Sequence, residues 1–268
     1  MINNKFFAID AHCHIYPEKI SERAVHGTDN FYGEVSVGTG TVDNLLSLGK
    51  AAGIDKFIVQ SVATTPKQVQ SINNFISEQV SLNPSTLIGL GTLHPDSSDL
   101  AADLEHLMSL GLHGVKLHPD IQNFKIDDYR CLKIYELCEK HGLPILVHAG
   151  DNRYDNSNPN RLKPVAEIYT NLTIVAAHLG GWSIWQKAAE KLHDLPNVFV
   201  DCSSSLPYIS TETARAIFDT YGVDKILFGT DYPMWSPADE VRRVLSLDLS
   251  DNDYTKIFSQ NALHAFKI

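Results

Sequence analysis

Short apolar segments alternate with segments of helical periodicity along the whole chain. Eight apolar segments are separated by spacers long enough for a helix, and they cover residues 6–14, 55–62, 86–95, 114–119, 144–150, 172–181, 197–205 and 226–233. Their nearly continuous runs of Val, Ile and Leu are typical of parallel strands that are covered on both faces. Apolar residues at helical spacing predict helices over residues 42–54, 67–80, 99–112 and 129–143. The pattern therefore predicts a repeated strand–helix unit.

The number of these units predicts the fold. Eight strand–helix units in 268 residues fit an α/β protein of the (β/α)8 TIM-barrel type, which typically has about 250 residues. No shift in composition and no linker rich in Pro, Gly or Ser divides the chain, so we predict a single domain over residues 1–268. An open, doubly wound sheet is the alternative, because it shows the same alternation of elements.

Two connections between the predicted elements are longer than ordinary loops. One covers residues 15–41 and the other covers residues 151–163. Long connections without structure of their own are uncommon inside a domain, and they often act as lids or binding loops. Both segments are therefore predicted to border a functional site.

Ionisable side chains recur at the ends of the predicted strands. They are His12, His14, Lys116, His148, His178 and Asp231. In a barrel the C-terminal ends of all strands lie on one face, where active sites form. Because side chains alternate along a strand, His12 and His14 share a face, and Asp10 has the same parity and is predicted to support the site or to pack in the barrel. Several imidazoles with one carboxylate are the ligand set of a catalytic zinc or a similar divalent metal.

Charge and composition restrict the classes of binding partner that we expect. The net charge is −10 and the isoelectric point is about 5.6, which disfavours nucleic acid and anionic membranes and leaves a small-molecule substrate. The chain lacks the apolar run of about 18 residues that a transmembrane helix needs, and its first residues lack a signal-peptide pattern. Four scattered cysteines without a CxxC pattern are typical of free thiols in a cytoplasmic protein.

Several stretches carry a resemblance to a known superfamily. They are IDAHCH, GVKLHP, ILVHAG, AAHLGG and FGTDYP, in this order along the chain. With them the sequence resembles the amidohydrolase superfamily, in particular the branch that includes aminocarboxymuconate-semialdehyde decarboxylase and related metal-dependent hydrolases. The resemblance extends over essentially the whole chain. It implies a distorted (β/α)8 barrel with one or two divalent metals, most often zinc, and it makes a homodimer a possible assembly.

The same resemblance implies roles for particular residues. His12, His14, His148 and Asp231 are the implied metal ligands. His178 is implied as the catalytic histidine of the one-metal members, or as a ligand to a second metal in the two-metal members. Lys116 occupies a position that suits the carboxylated lysine of the two-metal members, and a free, substrate-binding lysine and a simple ion pair are its alternatives.

Arg153 is a further candidate, in the loop DNRYDNSNPN. A guanidinium group binds a carboxylate through two parallel hydrogen bonds, so Arg153 is a candidate clamp for a substrate carboxylate. The alternative is an ordinary solvated charge on a loop.

Three functions are compatible with these residues. The first is a metal-dependent hydrolase, in which a metal-activated water attacks an amide, ester or lactone and His178 or Asp231 transfers protons. The second is a non-oxidative decarboxylase, or carboxy-lyase, that acts on an unsaturated or aromatic carboxylic acid. The third is a non-catalytic barrel in which the metal is structural. The hydrolase is the expected function.

Overall fold

Nine parallel strands form the barrel in the computed structural model, which describes all 268 residues. They are β1 (Ile9–His14), β2 (Lys56–Gln60), β3 (Leu87–Gly89), β4 (Gly91–Thr92), β5 (Val115–Leu117), β6 (Ile145–Val147), β7 (Ile174–Ala176), β8 (Val198–Asp201) and β9 (Ile226–Leu227). Hydrogen bonds join β1 to β3 in sequence order and β4 to β9 in sequence order. Only Leu90 separates β3 from β4, so these two strands occupy one of eight positions.

The barrel closes between its first and last strands. The Ala11 N–H donates to the Phe228 carbonyl at 2.9 Å, and the His14 N–H donates to the Tyr232 carbonyl at 2.6 Å. These bonds pair the edge of β1 with the segment that follows β9, so no open edge remains there. The predicted (β/α)8 barrel is confirmed, and the alternative of an open sheet is wrong.

Twelve helices surround the strands. They are α1 (Glu18–Tyr32), α2 (Val42–Ala52), α3 (Val69–Leu82), α4 (Leu100–Ser109), α5 (Pro119–Gln122), α6 (Tyr129–His141), α7 (Pro159–Ile168), α8 (Trp185–Leu192), α9 (Thr211–Tyr221), α10 (Pro237–Leu245), α11 (Asp251–Thr255) and α12 (Asn261–Phe266), with a π-helical turn at Lys256–Gln260. The four helices predicted from periodicity correspond to α2, α3, α4 and α6. No helix combines the length and apolar character needed to cross a bilayer.

Helix α1 corrects the prediction that residues 15–41 lack structure. It follows Pro17 and ends at Tyr32, and the left-handed backbone of the next residue, Gly33, at φ 73° allows the chain to turn away. Only Ser21 and Val25 are buried in this helix, so the sequence contains too few apolar residues to mark a buried face. The second long connection is also shorter than predicted, because α7 begins at Pro159.

The interior of the barrel is filled from the end opposite the histidines. There the C-terminal helix α12 packs its apolar side chains against inward-facing strand residues. This inner cluster comprises Ile9, Ala11, Ile58, Leu90, Leu146, Val175, Ala177, Phe199, Leu227, Ala262, Ala265 and Phe266. Fully burying one large apolar side chain stabilises a fold by about 1.5–3 kcal/mol. The inner cluster therefore provides a rigid floor for the polar side chains at the strand ends.

A β-bulge in β1 changes the direction of Asp10. Asp10 pairs with Phe57 and Cys13 pairs with Val59, so β1 contains one residue more than β2 between these pairs. An extra residue breaks the strict alternation of side chains. Asp10 therefore shares the outer face with Phe57 and Cys13, and the predicted common parity with the site histidines is wrong. Its carboxylate is held by the N–H of Thr230 at 2.9 Å.

Glu240 is a buried carboxyl group outside the histidine cluster. Its Oε1 accepts a hydrogen bond from Arg243 at 2.7 Å, whereas its buried Oε2 has no partner. Burial raises the pKa of Glu240 from 4.5 to about 7, although Arg243 acts in the opposite direction. The folded protein therefore holds this proton more tightly than the unfolded chain does.

We expect Glu240→Gln to reduce the pH dependence of stability. The contribution of Glu240 to the free energy of unfolding falls as pH rises from 4.5 to about 7, because the folded carboxyl loses its proton at higher pH than the unfolded one. The shift corresponds to about 3 kcal/mol at most. Urea unfolding of both proteins at about pH 5 and about pH 8 measures the difference, and other titrating groups cancel because both proteins contain them. Equal pH dependence in the two proteins would contradict this assignment.

Candidate metal centre

Three of the predicted ligands converge above the barrel floor. The Nε2 atoms of His12 and His14 lie 3.2 Å apart at the end of β1. Oδ1 of Asp231 lies 3.3 Å from His12 Nε2 and 3.6 Å from His14 Nε2. Asp231 follows β9 with a left-handed backbone at φ 57°, which is uncommon for residues other than Gly, Asn and Asp.

Asp201 fixes the proton on His12. Its Oδ2 lies 3.0 Å from His12 Nδ1, so the Nδ1–H donates to the carboxylate and the lone pair of Nε2 faces His14 and Asp231. Burial raises the pKa of Asp201, but the neighbouring His12 outweighs this effect and the pKa falls to about 2. Carboxylates that orient a metal-binding histidine in this way are common partners of metal sites. Sequence patterns do not predict this contact.

His148 and His178 face each other through two unprotonated nitrogens. His148 Nδ1 lies 3.0 Å from His178 Nε2. The other nitrogen of each ring lies beside a carbonyl oxygen, Gly150 O at 2.9 Å from His148 and Ser203 O at 3.1 Å from His178. Carbonyl oxygens only accept hydrogen bonds, so both ring protons lie there and two lone pairs face each other. A cation or an additional proton between the rings removes this repulsion.

Lys116 lies inside the same cluster. It is fully buried, and its Nζ lies 2.9 Å from His12 Nε2, to which the ammonium donates. Burial lowers the pKa of Lys116 to about 8, although Asp231 and Asp201 act in the opposite direction. The ammonium and a metal ion are alternative partners for the same His12 lone pair. The structure thus places Lys116 where sequence analysis expects it, and its carboxylation stays a prediction.

The charge state of the cluster fits a divalent metal. Burial lowers the pKa of His178 to about 4 and also lowers the pKa of His14 and His148. Burial alone raises the pKa of Asp231, but His12 and the other imidazoles hold it below its usual value. Neutral imidazoles and an ionised carboxylate are the forms that bind a metal. The donor set of His12, His14 and Asp231, whose ligand atoms lie close together, therefore fits the implied metal.

Arg153 is not positioned as a carboxylate clamp. Its Nη2 lies 2.7 Å from Asp151 Oδ2, and its Nη1 donates to the Phe31 carbonyl at 2.7 Å. The guanidinium also lies 5.1–5.5 Å from the centroids of four aromatic rings, among them Tyr32 and Trp182. Its hydrogen-bonding groups are directed at protein partners. The structure therefore assigns Arg153 to joining the end of α1 to the loop before α7.

Tyr32 and His118 form a hydrogen-bonded pair that sequence patterns do not predict. The Tyr32 hydroxyl lies 2.8 Å from His118 Nε2, and His118 Nδ1 accepts the Ile121 N–H at 3.3 Å. His118 therefore donates through Nε2, which leaves the Tyr32 proton free for a ligand. The His118 ring stacks on His148 with centroids 4.0 Å apart. Tyr32 is brought here by α1, the helix that the apolar pattern did not predict.

One cavity of about 1010 Å³ contains these groups. The ionisable side chains that line it include six from the strand ends: His12, His14, Lys116, His148, His178 and Asp231. The aromatic side chains of Tyr16, Phe31 and Tyr32 line the cavity beside them. The cavity thus combines a cluster of candidate metal ligands, a buried cation and an aromatic wall.

Comparisons with known proteins agree with this arrangement. The amidohydrolase family model matches residues 9–268. The 2-amino-3-carboxymuconate-6-semialdehyde decarboxylase of Dictyostelium discoideum is 32% identical to the chain over 81 residues. That match covers 30% of this chain and 23% of the relative, so the chain spans about a quarter of the relative that it matches.

Solved structures share the complete barrel. A TIM-barrel protein of uncharacterised function from Bordetella bronchiseptica gives a TM-score of 0.81 at 19% identity, over 98% of this chain and 99% of the other. A dihydroxybenzoic acid decarboxylase from Polaromonas sp. JS666, with bound manganese and 2-nitroresorcinol, gives a TM-score of 0.74 at 17% identity, over 98% and 97% of the two chains. At such identities the likeness establishes the fold.

Proposed function

This chain belongs to the amidohydrolase family, and we propose that it is a metal-dependent decarboxylase of an aromatic or unsaturated carboxylic acid. The observation that carries this proposal is the buried Lys116 ammonium among the metal-binding groups, because a decarboxylase must hold a substrate carboxylate. Two of the relatives described above are decarboxylases, which favours this reaction over the expected hydrolysis. The aromatic wall suits a planar, unsaturated substrate.

The proposed binding roles rest on the geometry of His12, His14 and Asp231 and, for His148, on the resemblance to the amidohydrolase superfamily. His12, His14, His148 and Asp231 would hold the metal, which when bound supplies positive charge for a substrate oxygen and for the negative charge that develops in the reaction. Zinc and manganese are both suitable ions for this donor set. Lys116 contributes a second positive charge beside the substrate carboxylate.

The reaction needs one proton for each molecule of CO2. The bond between the substrate carbon and its carboxylate breaks, CO2 leaves, and the electron pair stays on the carbon, which takes up a proton. We assign the transfer of this proton to His178, because its Nδ1–H is anchored to Ser203 O, so that Nε2 is the atom that would take a proton from solvent and pass it to the carbon. Asp231 is the alternative carrier, since its carboxylate borders the same cavity.

An assay for the two reactions tests the proposal. Purified protein is supplied with Mn²⁺ or Zn²⁺ and incubated with hydroxybenzoic and unsaturated carboxylic acids, with CO2 as the product measured. A parallel panel contains amides, esters and lactones. We expect metal-dependent CO2 release from at least one acid, loss of this activity with a chelator, and recovery when the metal is returned. Turnover confined to the second panel would replace the proposal with the hydrolase.

A further inference from the structure

The cavity continues well beyond the metal-binding cluster. It passes between two helices and is lined by Ile20, Ala24 and Gly27 of α1 and by Ile72 and Phe75 of α3. We call this part, defined by these five residues, the distal arm. No metal-binding or proton-carrying group of the proposed reaction lies in it, so the reaction alone does not account for the space.

Each helix presents a single face to the distal arm. On α1 the lining positions Ile20, Ala24 and Gly27 follow the spacing of one helix face, and on α3 Ile72 and Phe75 do the same. The side chains of Ile20, Ala24, Ile72 and Phe75 are partly buried. Apolar side chains of both helices therefore border a gap that is open to a ligand, and polar side chains such as Ser71 and Asn74 of α3 lie beside them.

Gly27 widens this gap. It lies in the interior of α1, where glycine is less favourable than alanine. Its backbone is not left-handed, and a Cβ added to it would meet no atom within 4 Å. Neither a turn nor a close contact requires glycine here. What the missing side chain provides is room in the distal arm.

The rim of the distal arm carries an excess of positive charge. Lys19 and Arg23 of α1 line it together with one acidic residue, Glu78 of α3, and all three side chains are exposed. This excess contrasts with the net charge of −10 of the whole chain. The rim therefore favours a ligand whose outer end is negatively charged.

We propose that the distal arm binds the tail of an elongated carboxylic acid. The head of the acid lies at the metal centre, an apolar tail runs between α1 and α3, and an acidic group at its end reaches Lys19 and Arg23. This inference rests on the proposed function for the placement of the head. If the distal arm binds such a tail, the natural substrate is longer than a simple benzoic acid.

Calorimetric titration of a homologous series tests the inference by binding alone. The probes are 4-methoxy-, 4-butoxy- and 4-octyloxybenzoate, with protein supplied with Mn²⁺. We expect affinity to increase on the order of tenfold or more along the series, because each added methylene removes apolar surface from water. Equal affinities, or no binding by any member, would overturn the inference. The CO2 assay reports separately on the proposed function, so the two failures are distinguishable.

Variants of Gly27 test whether the gain in affinity with tail length arises in the distal arm. Gly27→Phe fills the distal arm and should abolish the gain with tail length while the affinity for 4-methoxybenzoate stays unchanged. Gly27→Ala is the matched control and should keep the gain. Ser71→Phe obstructs the arm from α3, and it replaces Gly27→Phe if thermal melting shows that this variant is unfolded. Retention of the full gain in a folded, obstructed variant would overturn the inference.

Substitutions of Arg23 and Lys19 test whether the acidic end of the tail binds at the rim. We expect a carboxylate added to the end of the octyloxy chain to increase affinity several-fold in the wild type. Arg23→Gln should remove this increment and leave the gain with tail length intact. An increment that survives in Arg23→Gln and in Lys19→Gln would overturn the placement of the acidic end.

Discussion

Asp231→Asn is expected to lose the bound divalent metal and about 1,000-fold or more of the turnover. A neutral amide binds a divalent ion much more weakly than a carboxylate, and metal catalysis contributes several kcal/mol, with each 1.36 kcal/mol worth a factor of ten in rate. Asparagine also tolerates the left-handed backbone at φ 57°, so the change removes charge without adding strain. Elemental analysis of the purified variant measures the metal, and the CO2 assay measures the turnover.

Asp248→Asn is the matched control for this experiment. Asp248 also has a left-handed backbone, at φ 50°, but it is exposed and does not line the cavity. The same chemical change in the same backbone conformation should leave metal content and turnover unchanged. If Asp231→Asn retains a full complement of metal and normal turnover, Asp231 is not a ligand, and the cluster at the end of β1 needs another explanation.

The sequence predicted the part of the site that depends on strand order. Parallel strands separated by helices bring their C-terminal ends to one face, so His12, His148, His178 and Asp231 had to lie near one another once the barrel was predicted. Strand runs are recognisable because both faces of the strands are buried. The barrel and most of the candidate ligands could therefore be predicted from one-dimensional patterns.

The remaining features of the fold and the site arise from backbone pairing and tertiary contacts, which the pattern of apolar residues along the chain does not reveal. The bulge that turns Asp10 outward arises from backbone pairing between β1 and β2. Helix α1 has one face on the cavity, so it lacks the apolar stripe by which a packed helix is recognised. The contacts of Arg153 with the Phe31 carbonyl and of Asp201 with His12 depend on how distant segments of the chain meet in space. Such contacts can be identified only from the three-dimensional structure, because each residue alone has many possible partners.

His178→Asn is expected to keep the metal but to lose turnover by about 100- to 10,000-fold, the range for a positioned acid or base. Asparagine tolerates the left-handed backbone of this residue, at φ 60°, but its amide does not carry a proton at neutral pH. Single-turnover rates and elemental analysis measure the two effects. Because a proton carrier acts on the chemical step, binding of 4-methoxybenzoate should stay within about a factor of three, which separates lost chemistry from lost structure.

The metal content of the same variant distinguishes one-metal from two-metal chemistry. His178 Nε2 lies 3.0 Å from His148 Nδ1, so it is close enough to the centre for either role. Full metal with lost turnover assigns His178 to proton transfer, whereas loss of half the metal makes it a ligand to a second ion and favours carboxylation of Lys116. His193→Asn, the same change at the end of α8, should affect neither quantity. Normal turnover in His178→Asn would leave Asp231 as the proton carrier, because Asp231 borders the same cavity.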